Sequence, residues 1–344
     1  MEPGATLAQL GEWELIRRLG AFAPPGQFHD DAALLPAADG SRLVVNSDVL
    51  VEGIHFSDAT TAPGDVGWRA AAANLSDLAA MGCTEVLGLT VGLVAPADTT
   101  WSWVEGVYGG LKEALDAYGG ELLGGDCSGG AQRLLAITAI GRLAGDTGAI
   151  RRGDGRPGDW LVGTGPHGLS RLGLALLQGD DPAAGAALDP ALVQRALAAH
   201  RRPRPRFDAV RALRASQPVG APWRVGGCDS SDGLAAAAAA IAASSGCGAQ
   251  LDRRALPLDP AMAPLPLAEA WCLGGGEDFE LVLALEPAWA QALVAAQPGS
   301  SVIGALVVGP AGALGWASGE AWPGADGEIG EVRGYSHFAW VVRG

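Results

Sequence analysis

The stretch VGWRAAAANLSDLAAMG (66–82) has the composition of a helix that ends at a glycine. Asp77 stands in it among apolar residues, where an unpaired carboxylate would be unfavourable to bury. Asn74 lies three positions earlier, so a helix places both side chains on one face. A cation bound at that face would explain the two polar groups. The segment therefore predicts a helix that carries part of a metal site, although Asn74 alone could be an ordinary polar residue on the exposed side of that helix.

Strands and helices alternate on both sides of this helix. An amphipathic helix is predicted at 11–19, and residues 42–56 predict a β-branched strand that leads into a loop and a second apolar segment. Further along the chain we predict a strand at 85–94, a helix at 100–119, a strand end at 121–126 and a strand at 134–143. The order β-α-β-α-β-β is typical of an α/β domain, here of about 145 residues.

A segment rich in glycine and charge (145–159) follows this pattern. A chain of 344 residues favours roughly two domains, and we place them at 1–148 and 149–344. The second half predicts a strand and a helix, a helix broken by prolines, an alanine-rich helix, a strand after a Gly-rich loop, and a tail of short strands. Both halves place an Asp-containing loop beside a helix, which favours two related α/β domains.

The net charge of −15 is concentrated in the first half of the chain. Residues 1–148 hold 19 acidic and 7 basic side chains, a net charge of −12. An acidic surface repels nucleic acid and anionic membranes, so neither is expected as a partner. Scattered acids could serve solubility alone, whereas acids that converge could bind cations.

Several classes of site are excluded by what the sequence lacks. Lys112 is the sole lysine, and no GxxxxGK[ST], HExxH or GxSxG motif is present. The five cysteines show no CxxC spacing, which argues against a zinc site or a disulfide framework. The N-terminus does not resemble a signal peptide, and no run of about 18 apolar residues occurs. We therefore expect a cytoplasmic protein.

Six short motifs place acids beside Gly, Ser or Asn. They are His29-Asp30-Asp31, Asn46-Ser47-Asp48, Asn74-Leu75-Ser76-Asp77, Gly124-Gly125-Asp126, Asp229-Ser230-Ser231-Asp232 and Gly275-Gly276-Glu277-Asp278. Hard cations such as Mg²⁺ prefer oxygen ligands and need one or two carboxylates each. Each motif alone could instead shape a turn, end a strand or cap a helix. Six together favour a site for several Mg²⁺ ions that binds phosphates.

The motifs, in their order along the chain, resemble the thiamine-monophosphate kinase family. The resemblance is carried by GEWELIRRL, HDDAALL, SDVLVEGIHF, AANLSDLAAMG, LLGGD, IRRGDGRPGDWL, DSSDGL and GGGEDFEL, and it extends from about residue 11 to GYSHF near the C-terminus. It implies an aminoimidazole-ribotide-synthetase-like fold of two α/β (α+β) domains, with the N-terminal sheets of two subunits pairing in a homodimer. It also implies the reaction of ATP with thiamine phosphate to give ADP and thiamine diphosphate.

The resemblance also assigns roles to residues by position. The implied Mg²⁺ ligands are Asp31, Asn46, Ser47, Asp48, Asp77, Asp126, Asp229 and Asp232. The residues implied to bind ATP are Tyr108, Gly125, Asp126, Arg152 and Ser231. Thiamine phosphate would contact His55, Glu277 and Tyr335. From the residues alone, Arg152 could equally be a solvated loop arginine, and His55 and Tyr335 could be packed core residues.

Four positions depart from the usual family pattern. His29 replaces a glycine before the paired aspartates, and Asn46-Ser47-Asp48 replaces Thr-Thr-Asp while keeping an oxygen at each position. Cys127-Ser128-Gly129-Gly130 replaces Thr-Thr-Arg-Gly, and Gly168-Leu169-Ser170 replaces Gly-Asp-Ser. The predicted metal ligands are retained, while one arginine and one acid are lost.

The predicted mechanism is direct in-line phosphoryl transfer. The attacking phosphate oxygen is already anionic, so no catalytic acid or base is required, and Mg²⁺ ions would neutralise the two phosphate groups and align them. The alternatives are another ATP-using enzyme of the same superfamily and a non-catalytic protein that binds cations. A selenophosphate synthetase would carry a reactive Cys or selenocysteine and a lysine near the N-terminus, and the hydrogenase-maturation protein ends in cysteine; this chain has none of these.

Overall fold

The computed structural model describes residues 6–24, 28–145, 148–185, 187–320 and 322. Its N-terminal half is built around one five-stranded sheet. The strands are β1 (Ala33–Pro36), β2 (Arg42–Val51), β3 (Glu85–Ala95), β4 (Glu121–Gly129) and β5 (Leu134–Leu143). The helices of this half are α1 (Leu7–Leu19), α2 (Pro63–Ala80) and α3 (Trp101–Tyr118). The predicted elements are confirmed, and β1 is an additional strand that the sequence analysis did not predict.

The order of the strands in this sheet is β1-β2-β5-β3-β4. All neighbours are antiparallel except β3 and β4, which run parallel and are joined through α3. Strand β4 therefore lies at one edge, and its residues 121–129 are all exposed. Helix α2 contacts β2 and β5, and α3 contacts β4. One face of the sheet is thus covered by helices and buried.

Helices α2 and α3 approach each other backbone to backbone. A Cβ atom at Gly67 would lie 1.9 Å from the carbonyl oxygen of Val107, and one at Gly110 would lie 1.8 Å from that of Gly64. Both distances are far shorter than any van der Waals contact, so only glycine allows this crossing. The contact fixes the position of α2, the helix that carries Asp77.

The C-terminal half contains a six-stranded sheet in the order β11-β8-β10-β6-β9-β7. Its strands are β6 (Trp160–Gly163), β7 (Gly226–Asp229), β8 (Gly248–Leu251), β9 (Leu281–Leu285), β10 (Ser301–Val307) and β11 (Leu314–Trp316). Its helices are α4 (Leu169–Gln178), α5 (Pro190–Arg201), α6 (Phe207–Ala215), α7 (Leu234–Ser244), α8 (Ala268–Gly274) and α9 (Pro287–Ala296). The predicted break between α5 and α6 is confirmed at the prolines of 203–205.

The two halves share one continuous hydrophobic core. It joins residues of the first sheet, such as Val44 and Ile137, to residues of the second half, such as Val162 and Leu283. Helix α2 also contacts β7, the edge strand of the second sheet. This packing brings α2 next to the loop that follows β7. The predicted boundary between residues 148 and 149 stays a prediction. None of the described helices is long and apolar enough to cross a bilayer.

Candidate functional site

Three carboxylates meet where the two halves join, and we call them the acidic cluster. Asp77 comes from α2, Asp229 from the last position of β7, and Asp31 from the segment before β1. One carboxylate oxygen of each lies within 4.8 Å of the others. Asp229 is buried, and Asp31 and Asp77 are only partly exposed. Three acids predicted from separate motifs are thus brought together.

Strand β2 adds two more of the predicted residues. Asn46 and Asp48 are two positions apart and point to the face covered by α2. Nδ2 of Asn46 donates to Oδ2 of Asp77 over 2.6 Å, and the backbone N–H of Asp48 donates to Oδ1 of Asn74 over 3.2 Å. Asn74 is completely buried, and its Nδ2 donates back to the Ala70 carbonyl oxygen of its own helix. These bonds fix the predicted Asn74–Asp77 face of α2 against β2.

Two serines hold Asp229. Oγ of Ser76 donates to Oδ2 of Asp229 over 2.6 Å, and Ser76 is completely buried. Hydrogen bonds from the backbone and side chain of Ser231 also lower the pKa of Asp229, although burial dominates and raises it. Ser231, predicted to face ATP, is exposed beside the cluster. Ser76 was not predicted as part of the site; its place one residue before Asp77 on a buried helix was the available signal.

Burial and mutual repulsion raise the pKa values of these acids. Burial raises the pKa of Asp31 to about 7 and that of Asp48 to about 6. Burial also raises the pKa of Asp77, and the neighbouring charges of Asp48, Asp229 and Asp31 raise it further. Asp232, on the loop after β7, has its pKa raised to about 7, mainly by burial. A bound cation would reverse these shifts by favouring the ionised carboxylates.

Arg152 brings a positive charge of the protein itself to the cluster. Its guanidinium forms an ion pair with Asp31, and its backbone N–H donates to Oδ1 of Asp30 over 2.9 Å. Oδ2 of Asp31 and Oδ1 of Asn46 are nevertheless buried without a hydrogen-bond partner in the described part of the chain. Unpaired oxygens among carboxylates are the donor set that Mg²⁺ prefers. The residues present therefore fit a hard divalent cation.

A cavity of about 580 Å³ opens beside the cluster. Asp48 and Asp232 lie in its wall, so the cavity and the acidic residues form one continuous site. His55 and Glu277, both predicted to bind thiamine phosphate, also line it. The structure thus places two predicted substrate residues next to the predicted metal ligands.

Arg69, a largely buried residue of the cavity wall, connects these two residues. Its side chain is 3% exposed, and its Nη2 donates to Oε1 of Glu277 over 2.6 Å and to the His55 carbonyl oxygen over 3.3 Å. Nδ1 of His55 accepts the backbone N–H of Val51 over 3.0 Å. Glu277 has φ of 57°, a left-handed conformation that is strained for a residue other than glycine. Arg69 was not predicted as part of the site. The available signal was an arginine among the apolar residues of the predicted helix.

Four predicted residues are not brought to the cluster. Ser47 lies on the opposite face of β2, where its Oγ donates to the Ile137 carbonyl oxygen over 2.9 Å. Gly125 and Asp126 lie on the edge strand β4, separated from β2 by β5 and β3. Tyr108 lies on α3, which contacts that strand. Burial and then the neighbouring Cys127 raise the pKa of its hydroxyl group. Their roles stay predictions. Tyr335 falls outside the described residues.

With this geometry established, comparison with known proteins identifies the family. Residues 29–143 match the family described as AIR synthase related protein, N-terminal domain, and residues 156–317 match the corresponding C-terminal domain. A thiamine-monophosphate kinase from Prochlorococcus marinus is 46% identical over 314 residues, which cover 91% of this chain and 93% of the relative. The chain belongs to the thiamine-monophosphate kinase family.

One further relative and one solved structure are similar to this chain over most of their length. The thiamine-monophosphate kinase of Synechococcus elongatus is 50% identical over 289 residues, which cover 84% of this chain and 86% of the relative. A solved structure of AaThiL complexed with AMPPCP and TMP superimposes with a TM-score of 0.80 at 27% identity, covering 98% of this chain and all of that chain. The predicted two-domain α/β fold of this superfamily is confirmed.

Proposed function

We propose that the protein transfers the γ-phosphoryl group of ATP to thiamine phosphate, giving ADP and thiamine diphosphate. The observation that carries the proposal is the acidic cluster of Asp31, Asp77 and Asp229 beside a substrate-sized cavity. Family membership supports it, because the relatives are thiamine-monophosphate kinases and AaThiL has been solved with AMPPCP, an ATP analogue, and TMP. The same comparisons favour this reaction over the other ATP-using enzymes of the superfamily.

We propose that Asp31, Asp77 and Asp229, with Asp48 and Asp232 beside them, bind Mg²⁺ ions. When bound, the ions would neutralise negative charge on the two phosphate groups. The protein itself supplies the remaining parts. The ion pair with Arg152 orients Asp31, Asn46 orients Asp77, and Ser76 orients Asp229. No proton transfer to a side chain is needed, since the attacking phosphate oxygen is an anion.

The substrate would lie in the cavity that His55 and Glu277 line. The carboxylate of Glu277 is partly exposed there and can attract the cationic thiazolium ring of thiamine phosphate. Its ion pair with buried Arg69 holds it in position. Tyr108 from α3 and Gly125 and Asp126 from the edge strand would reach ATP in the site of a second subunit, so we also propose a homodimer. We expect the enzyme to act in the cytoplasm.

The test is turnover of the purified protein with ATP, Mg²⁺ and thiamine phosphate, followed by chromatographic detection of thiamine diphosphate. Reactions without Mg²⁺, without acceptor and with unphosphorylated thiamine serve as controls. We expect product in the complete reaction alone. Folded, Mg²⁺-binding protein that forms no thiamine diphosphate would instead support the non-catalytic alternative.

A further inference from the structure

The cavity wall contains two guanidinium groups in very different surroundings. Among its described lining residues these belong to Arg69 and Arg171. Nη1 and Nη2 of Arg69 are engaged by the carboxylate of Glu277 and by the carbonyl oxygens of His55 and His200, and only its buried Nε lacks a hydrogen-bond partner within the described chain. Its charge is therefore already balanced and its geometry fixed. The two terminal nitrogens of Arg69, which a phosphate would contact, are thus already occupied.

Arg171, on the first turn of α4, has no such partner. Its Nη1 is buried without a hydrogen-bond partner, and no carboxylate of the described chain lies within ion-pair distance of it. A buried guanidinium nitrogen that lacks an acceptor is unfavourable in the free protein. Such a group gains from a ligand that brings the missing acceptor oxygens.

The neighbouring acid is committed elsewhere. Asp278 is the carboxylate next to the start of α4, and its two oxygens accept the backbone N–H groups of Gly168 and Ser170 over 2.6 and 3.0 Å. The residues that flank Arg171 in the sequence are Ser170 and Leu172, which carry no charge. The positive charge of Arg171 is thus not offset by its own helix turn.

Packing holds the Arg171 side chain in the cavity wall. Its guanidinium carbon lies 5.6 Å from the ring centroid of Trp271, which also lines the cavity. Its Cβ lies against Gly275, where an added Cβ would come within 2.9 Å of it. Glycine at 275 therefore lets α4 pack closely on this loop. A planar, positioned guanidinium is suited to bidentate binding of phosphate oxygens.

We propose that Arg171 binds the phosphate group of thiamine phosphate and so distinguishes the phosphate ester from unphosphorylated thiamine. The proposal rests on the proposed function and adds a residue to it. A phosphate that enters this cavity meets the carboxylates of Glu12, Asp48 and Asp232, beside Glu277, whose charge Arg69 balances. Arg171 offsets that repulsion from the α4 wall, and it does so without contacting ATP.

The test compares Arg171→Met, Arg171→Lys and, as a matched control on an exposed arginine of α6, Arg211→Met. Methionine keeps the apolar packing on Trp271 and removes the charge. We expect KM for thiamine phosphate to rise about 10- to 100-fold in Arg171→Met, as for loss of a charge-assisted hydrogen bond, with KM for ATP within about twofold of wild type. Lysine should restore part of the loss, and Arg211→Met should match wild type.

Calorimetric binding of thiamine and of thiamine phosphate to the full chain separates phosphate recognition from cavity shape. Arg171→Met should weaken binding of thiamine phosphate and leave binding of thiamine unchanged. Equal weakening of both ligands, an equal rise in KM for ATP, or unchanged kinetics would each overturn the role of Arg171. Wild-type protein that binds ATP but never converts thiamine phosphate would refute the proposed function instead.

Discussion

The acidic cluster and the edge strand β4 carry similar residues in opposite surroundings. Asp31, Asp77 and Asp229 are withdrawn from water and crowd one another, and their pKa values are raised. Asp126 lies on a strand whose residues are all exposed. Crowded buried carboxylates destabilise the empty protein, so their arrangement itself indicates a ligand. An exposed aspartate does not by itself indicate a ligand. A role for Asp126 in the site would require that a second subunit pack against β4.

The largest expected effect is on Asp77. Asp77→Asn should lower turnover by about 10³-fold or more, because loss of a metal ligand removes several kcal/mol of transition-state stabilisation. The same change should raise the Tm of the metal-free protein, since it removes one of several repelling charges. Activity assays and thermal unfolding in EDTA measure both. Near-normal turnover would exclude Asp77 from the metal site.

The next test concerns the edge strand β4 and uses a mixture of two variants. Asp126→Asn should leave Tm unchanged and yet reduce turnover if Asp126 serves the site of a partner subunit. Co-refolded Asp77→Asn and Asp126→Asn chains should then recover about a quarter of wild-type activity, because half the dimers are mixed and each has one intact site. Activity that stays at the level of the separate variants would contradict a shared site.

A smaller effect is expected from the serine that orients Asp229. Ser76→Ala removes a buried hydrogen bond to a charged group and should lower turnover about 10-fold, mainly through weaker Mg²⁺ binding. Ser47→Ala is the matched control, because its hydroxyl bonds to a main-chain carbonyl on the other face of β2. Mg²⁺ titrations of both variants make the comparison. A larger loss in Ser47→Ala would show that the exposed face also binds metal.

The smallest effect is the pH dependence of stability. Burial raises the pKa of Asp31, Asp48 and Asp232 to about 7, 6 and 7 from an ordinary value near 3.8. The folded state therefore binds protons more tightly than the unfolded state, and the free energy of unfolding falls as pH rises through this window. In EDTA the Tm should drop by several degrees between pH about 4.5 and about 7.5. Saturating Mg²⁺ should reduce the drop; a Tm that rises with pH in EDTA would contradict the shifts.

Much of this site could be predicted from short-range patterns. Asp77 was predicted as a ligand because a lone acid in an apolar helix needs a partner, and Asn74 followed from helical spacing. Side chains alternate along β2, so Asn46 and Asp48 lie on one face and Ser47 on the other. The prediction nevertheless included all three as metal ligands. Such inferences succeed where a single helix or strand sets the geometry.

The remainder depends on packing between distant segments. The contact of Ser76 with Asp229 spans 153 positions, and that of Arg69 with Glu277 spans 208. Strand β1 is four residues long and exists because it pairs with β2. No local pattern encodes these contacts, since they arise only when α2 packs between the two sheets.

The glycine contact between α2 and α3 has a consequence for both regions. Asp77 lies ten residues from Gly67 along α2, about 15 Å at 1.5 Å per residue, and Tyr108 lies two residues from Gly110 along α3. The crossing is therefore a rigid spacer between the acidic cluster and the surface that would face a partner subunit in the proposed homodimer. A single methyl group inserted there would tilt the two helices apart and shift both halves at once, far from either substrate.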